Sequence, residues 1–249
     1  MSNDFTIQPL GETGILVNFG HTISPKIHAK IKKLADYLDV HSFTGMIEYV
    51  ISYTSVAIYF NPYLVKKAVM TSSLTYRDKS AQYIVTQIVK QYIMQAKQLP
   101  EKPARVVEIP VCYGQEYGPD IEFVAKHNKL SVEEVIEIHT KPQYLVYMIG
   151  FCPGFPYLGG MDKRIATPRR DTPRLSIPAR SIGIAGEQTG GYPINTPGGW
   201  QIIGRTPLEM FDINKEKHPS LLQSGDLVKF KAISAKEYAD LREEILHES

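Results

Sequence analysis

Apolar positions follow two different periods along this chain. Ile27, Ile31, Leu34 and Leu38 fall four, three and four residues apart, the spacing that lays one buried stripe along a helix. Ser24-Pro25 supplies an N-cap and a proline at the first helical position, so the helix is expected to begin there. Before it, "FTIQPLGETGILVNF" reads as two short strands around Gly11 to Gly14. After it, the β-branched and aromatic runs "MIEYVISY" and "SVAIYF" predict a hairpin. Asn61-Pro62 opens a short helix. "SAQYIVTQIVKQYIMQ" predicts a long one, with Ile84, Ile88 and Ile93 near its inner side. Residues 1–98 are therefore expected to form an α/β domain, a two-layer sandwich of helices on an antiparallel sheet of the ferredoxin-like kind.

"QLPEKPA", Gln98 to Ala104, is polar and carries two prolines, which makes it the linker candidate. From residue 104 to 249 the period shifts. "RVVEIPV" restarts a strand, Asp120 is placed to cap "IEFVAKH", and Ser131 with Glu134 forms a capping box for "VEEVIEIH". "YLVYMIGF" reads as a buried strand. Residues 150–207 then hold 11 of the 18 glycines and 8 of the 17 prolines, which leaves no room for an ordinary helix. Short runs such as "LSIPA", "SIGIAG" and "WQIIGRT" between turns argue for a β-barrel with elaborate loops. "GDLVKFKAIS" closes it, and "AKEYADLREEILHE" predicts a charged C-terminal helix. The fold class read from the pattern is α+β.

Composition narrows the function classes. At 249 residues and 43% apolar, with 28 basic and 26 acidic side chains, the chain has a core to fill and no global field for nucleic acid. Cys112 and Cys152 form no C-x-x-C spacing, and the start lacks the basic and apolar runs of a signal peptide. Both fit a cytoplasmic protein with no membrane span. No Walker A loop and no G-x-G-x-x-G are present, so ATP, if used, needs help from another element or chain. None of the seven histidines lies between 150 and 207, and no bound metal or cofactor is expected. "ARSIG" differs by one residue from a nucleophile elbow, but Pro178 before Ser181 and the strand-like "IGIAGE" after it deny the elbow its helix.

Two features point to a ligand. The first is a cationic run, Lys163, Arg164, Arg169, Arg170, Arg174 and Arg180 against Asp171 alone. The second is the glycine density of "FCPGFPYLGG" and "TGGYPINTPGGW", which permits anion-binding turns. Together they predict a concave site for a carboxylate or phosphate, lined by Gly154, Phe155, Arg169, Arg174, Arg180, Gln188, Tyr192, Gly198, Gly199 and Arg205. Glu187 and His139 are the candidate general bases by position. The competing reading is architectural, with glycine and proline shaping barrel corners and Phe151, Phe155, Tyr157, Tyr192 and Trp200 plugging its ends.

The runs "YMIGFCPGFPYLGGMD", "ATPRRDTPRLSIPA", "SIGIAGEQTGGYPINTPGGWQIIGRTPLEMFD" and "SGDLVKF" carry a resemblance that covers nearly the whole chain. It resembles the family that includes the B-type subunits of 5-oxoprolinase, the sensor-kinase inhibitor Kip and proteins labelled allophanate hydrolase subunit 1. The resemblance implies a cyclophilin-like β-barrel after the first domain, and partner chains homologous to the C-type and A-type subunits of 5-oxoprolinase. It also implies conversion of 5-oxoproline to glutamate, with ATP as a co-substrate. Inhibition of a sensor histidine kinase, or work in a urea-carboxylase-like complex, are the alternatives it brings. One departure stands out: where the family pattern reads P-A-G-S, this chain reads Pro178-Ala179-Arg180-Ser181.

Overall fold

The Ser24 hydroxyl accepts from the Ile27 amide at 3.2 Å and Pro25 takes the first helical position, so helix α1 (Pro25–Val40) begins where the sequence places it. Its stripe of Ile31, Leu34 and Leu38 is buried. The protein is seen here as a computed structural model that describes residues 4–72, 76–100, 102–215 and 217–248. Two units result, Met1–Pro103 and Ala104–Ser249.

In the first unit, strands β1 (Thr6–Pro9), β2 (Gly14–Asn18), β3 (Met46–Ile51) and β4 (Ser55–Phe60) form one antiparallel sheet in the order β1-β2-β4-β3. Helices α1, α2 (Pro62–Ser72) and α3 (Ala81–Ala96) supply the second layer. Alternation does its usual work: Ile15 and Val17 of β2, and Val56, Ile58 and Phe60 of β4, are buried with Leu34, Leu38, Ile84, Val85 and Val89. Ile88 of α3, expected on the inner side, is only partly buried; Val85 and Val89 take the centre of that face. The strand order is that of a ferredoxin-like sandwich in which the strand that normally comes last in the chain comes first. β1 occupies that edge position beside β2, a circular permutation.

In the second unit, strands β5 (Val106–Tyr113), β6 (Tyr144–Ile149), β7 (Pro156–Gly159), β9 (Ser181–Ala185), β10 (Gln188–Gly191), β12 (Gln201–Arg205) and β13 (Leu227–Ile233) close into a barrel in the order β10-β7-β6-β13-β5-β12-β9. Strands β8 (Arg174–Ile177) and β11 (Thr196–Gly198) make a separate antiparallel ribbon. All barrel pairings are antiparallel except β13 with β5, which is parallel over seven residue pairs, Leu227↔Val106 to Ile233↔Cys112.

Helices α4 (Ile121–Asn128) and α5 (Val132–Thr140) bury Val124, Ala125, Val135 and Ile138 with the barrel residues Ile109, Val111, Val146, Ile184 and Phe230. The capping box at α5 forms as expected, with Ser131 and Glu134 satisfying each other's amides. Helix α6 (Ala235–Glu248) ends the chain. Only a three-residue 3-10 turn, Lys163–Ile165, interrupts the strands and loops between 150 and 207. Among the described residues no helix is long and apolar enough to cross a membrane.

Candidate functional site

The arginines of the second unit divide into those whose charge is already answered and those whose donors are not. Asp120 decides the first group. It stands at the start of α4, but its side chain makes no cap hydrogen bond. The carboxylate, 4% exposed, instead accepts from Arg174 through both terminal nitrogens (2.8 and 2.7 Å), from Arg170 (3.0 Å) and from the Ile202 amide of β12 (2.6 Å). The Asp120 amide returns a bond to the Ile202 carbonyl at 2.9 Å. The sequence expectation for Asp120 is thus corrected: charge-assisted bonds to two guanidiniums outcompete a local cap. The fork of Arg174, expected to hold a ligand, is consumed by this clamp, which ties β8 and the loop before it to β12 and α4. Arg169, one residue outside the clamp, is exposed and makes no ion pair with a described residue.

Arg180 is answered in part, by Glu209. Its φ is +69°, a left-handed conformation that glycine adopts freely and other residues at a cost of about 1–2 kcal/mol. The glycine that the resemblance implies at this position would adopt that geometry without strain. The turn is held by Arg180 N donating to the Tyr192 carbonyl (2.5 Å) and Thr206 N donating to the Arg180 carbonyl (3.0 Å). The Arg180 guanidinium meets Glu209 Oε1 at 3.0 Å, and Arg242 of α6 meets the same oxygen at 2.7 Å while also donating to the Pro207 carbonyl. One carboxylate thus serves two guanidiniums. Arg205, the last residue of β12, is paired in register with Ser181 of β9, the neighbour of Arg180. It makes no hydrogen bond or ion pair with a described residue through its side chain.

The Nε atoms of Arg170, Arg180 and Arg205 are buried and have no acceptor among the described residues. An unsatisfied buried donor on a charged group is costly. A carboxylate or phosphate oxygen is the strongest acceptor for such donors. Of the three, Arg205, whose side chain bonds to no described residue, keeps the most donors for an anionic ligand, and Arg180 neighbours its register partner Ser181.

An aromatic cluster lies beside the Arg180 turn. Phe155 packs edge to face on Trp200 at 5.4 Å, on Tyr192 at 5.3 Å and on Tyr157 at 5.1 Å. Phe155, Tyr192 and Trp200 are all buried. Phe151, with φ of +67°, caps the cluster while 63% exposed. Burial pushes the Tyr192 hydroxyl up to about 12. The glycines here serve packing. A Cβ on Gly198 would stand 2.6 Å from the Tyr192 hydroxyl, and one on Gly154, at φ +81°, would stand 2.8 Å from Phe211. Gly199 acts through its carbonyl, which accepts from Arg170 N at 2.7 Å. Half of "TGGYPINTPGGW" is strand, with Gly190 and Gly191 in β10 and Gly198 at the end of β11.

With this geometry in view, the chain matches the model of the carboxyltransferase domain, subdomain C and D, over residues 5–222. The chain belongs to that family. It is similar to the B-type subunit of 5-oxoprolinase from Bacillus subtilis (strain 168), 46% identical over 98% of this chain and 99% of that protein. Among solved structures, TTHA0988 superposes with a TM-score of 0.74 at 32% identity, covering 89% of this chain. This chain spans only 40% of that one. Urea amidolyase of K. lactis shares the fold, with a TM-score of 0.71 at 19% identity over 96% of this chain and 15% of its own.

The remaining candidates of this carboxyltransferase-family chain are placed less favourably. Glu187 sits at the exposed β9–β10 turn, 62% exposed and paired with Lys163 at 3.2 Å. Gln188 begins β10, half-buried. The Ser181 hydroxyl is buried and donates to the Pro178 carbonyl at 2.7 Å, which answers the elbow-like motif structurally. Among the described residues no group of histidine, cysteine and acidic side chains is arranged to hold a metal.

His139 is fully buried in the barrel rather than facing a ligand. Nε2 lies 2.9 Å from Thr189 Oγ1, which itself donates to the Gly183 carbonyl, so Nε2 carries the proton and Nδ1 accepts from the Tyr113 hydroxyl at 2.7 Å. Phe230 stacks on the ring at 4.6 Å.

Burial lowers the His139 pKa to about 3, against about 6.5 in an unfolded chain. The folded protein prefers the neutral ring, so this stabilisation is complete above about pH 6.5 and is lost as the pH falls toward 3. Thermal midpoints measured across that range are expected to fall in the parent. The fall is expected to be shallower in His139→Gln, relative to that variant's own value at pH 7.

Proposed function

We propose that this chain is the B-type subunit of an ATP-dependent 5-oxoprolinase, acting with A-type and C-type partner chains to hydrolyse 5-oxo-L-proline to L-glutamate. The observation that carries the reading is the pair of buried Nε donors of Arg180 and Arg205 that find no acceptor among the described residues, in a chain 46% identical over 98% of its length to a 5-oxoprolinase subunit of that type. Both expected substrates are anions, one a carboxylate and one a polyphosphate. A five-membered lactam is an unstrained amide; transfer of the ATP γ-phosphate to its carbonyl oxygen, with ADP leaving, activates the carbon for attack by water. The C–N bond of the tetrahedral adduct then breaks to free the ring amine, and a second water releases phosphate from the resulting acyl phosphate to give glutamate. The role derived for this chain is electrostatic: Arg205 and Arg180 hold an anionic oxygen in a site already organised to receive it.

The lack of a phosphate-binding loop motif fits a chain that shares ATP with partners. So does the occurrence of this family's fold as 40% and 15% of longer chains.

The expected result is ADP and glutamate release that depends on 5-oxoproline when this chain is mixed with its A-type and C-type partners, with little from this chain alone. No stimulation in the full mixture overturns the reading. Within an active mixture, Arg205→Ala is expected to lower kcat/KM by about 10²–10³, with a thermal midpoint near that of the parent. Arg180→Gly is the more informative change. It relieves about 1–2 kcal/mol of left-handed strain but breaks the Glu209 contact, so stability should shift little while substrate preference shifts.

A further inference from the structure

The first unit carries a groove that the proposed reaction does not use. It is a cavity of about 660 Å³ between α1 and α3, within the size range of small-molecule sites. Its walls include Phe19, Leu34, Ile93 and Ala96. Ala29 and Ala96, small residues on the two facing helices, leave the space open.

Above this apolar floor the rim is cationic. Lys26, Lys30 and Lys33 follow each other at helical spacing on α1, and Lys97 projects from the end of α3. Lysine stems extend the apolar wall while their ammonium groups stay in water. Among the described residues Asp4 is the one acidic side chain of the lining. Its carboxylate accepts from Lys97 Nζ at 3.2 Å and lies 3.8 Å from Lys30 Nζ. The hydrogen bond from Lys97, and then the charge of Lys30, hold the Asp4 carboxyl below its usual range. The chain's own carboxylate thus shows that Lys97 and Lys30 converge on one anionic oxygen position, and Lys26, one turn before Lys30, extends that field along the groove. Lys26 has no ion pair with a described residue.

We propose that this groove binds a small amphipathic anion, an acyl or aryl carboxylate whose apolar body lies over Phe19, Leu34 and Ile93 and whose carboxylate meets the lysine rim. A concave apolar floor suits a discrete ligand. Charge complementarity selects an anion over its neutral counterpart.

Decanoate, titrated calorimetrically into the full chain, tests the proposal, with decanol as the neutral counterpart and phosphatidylglycerol vesicles as a membrane control. Saturable decanoate binding is expected to weaken as salt rises. It is also expected to weaken about tenfold or more in Lys26→Glu/Lys33→Glu and in Ala29→Trp. Acidic residues in the first turn of a helix are favourable, so Lys26→Glu leaves α1 intact. Ala29→Leu serves if the tryptophan variant fails to fold. Absence of saturable decanoate binding overturns the proposal, as does decanol binding equally well, or decanoate affinity unchanged in both variants. Vesicle association without decanoate binding also overturns it. None of these readouts involves 5-oxoproline turnover, so this site and the proposed reaction stand or fall separately.

Discussion

Asp120→Ala is expected to remove about 3 kcal/mol of stability, at the low end of what breaking a buried ion pair costs. The estimate is low because Arg170 and Arg174 keep 36% and 25% of their side-chain surface in water, which screens the charges left behind. The carboxylate nevertheless holds four donors at once, from Arg170, Arg174 twice and the Ile202 amide. Its loss leaves an interior amide without a partner and two cations facing each other. Urea titration at pH 7 measures the effect. Asp120→Asn should recover part of the loss by keeping an acceptor for the Ile202 amide. A loss below about 1 kcal/mol would put the clamp in the class of solvated surface pairs.

The second large effect is expected at Trp200. The ring is 5% exposed and packs edge to face against Phe155 and Tyr192. Trp200→Ala should cost about 3–5 kcal/mol, the range for emptying a large aromatic site. Trp200→Phe should cost less, because a smaller ring keeps an aromatic edge against Phe155. Chemical denaturation followed by far-UV circular dichroism separates these outcomes. A cost under about 1 kcal/mol for alanine would mean that the cluster collapses freely around the gap. Tyr192 belongs to the same buried group. Its truncation is therefore expected to damage folding as well as any ligand contact, unlike that of an exposed pocket residue.

Short-range signals in the sequence are dependable. Ser24-Pro25 and the Ser131–Glu134 box start helices where caps predict, because the groups involved lie within three residues of each other. What local pattern cannot show is competition from a distance. Asp120 looks like a cap until Arg170 and Arg174, 50 and 54 residues away, take its carboxylate. Glu209 and Arg242 carry no signal in the sequence, yet they hold the Arg180 side chain. The glycine-rich stretch suggests an anion-binding loop, whereas Gly198 makes room for the Tyr192 hydroxyl. Composition reveals glycine density, and only packing tells which atom needs the missing Cβ. Arg180 does leave a trace: the resemblance implies a glycine where this chain has a long cation, and the position has a positive φ.

The parallel pairing of β5 with β13 sets an order of events during synthesis. Arg105 and Asp226, 121 residues apart, bond at the head of that pairing. Closure of the barrel must therefore wait until most of the second unit has left the ribosome, and such long-range closure is slow. The first unit is built from short hairpins and neighbouring helices, and it can be complete while β5 still lacks its partner. In that interval the edge of β5 is an open template for misplaced strands. Chains truncated before residue 227 should accumulate as aggregates, whereas full-length chains refolded at high dilution should not.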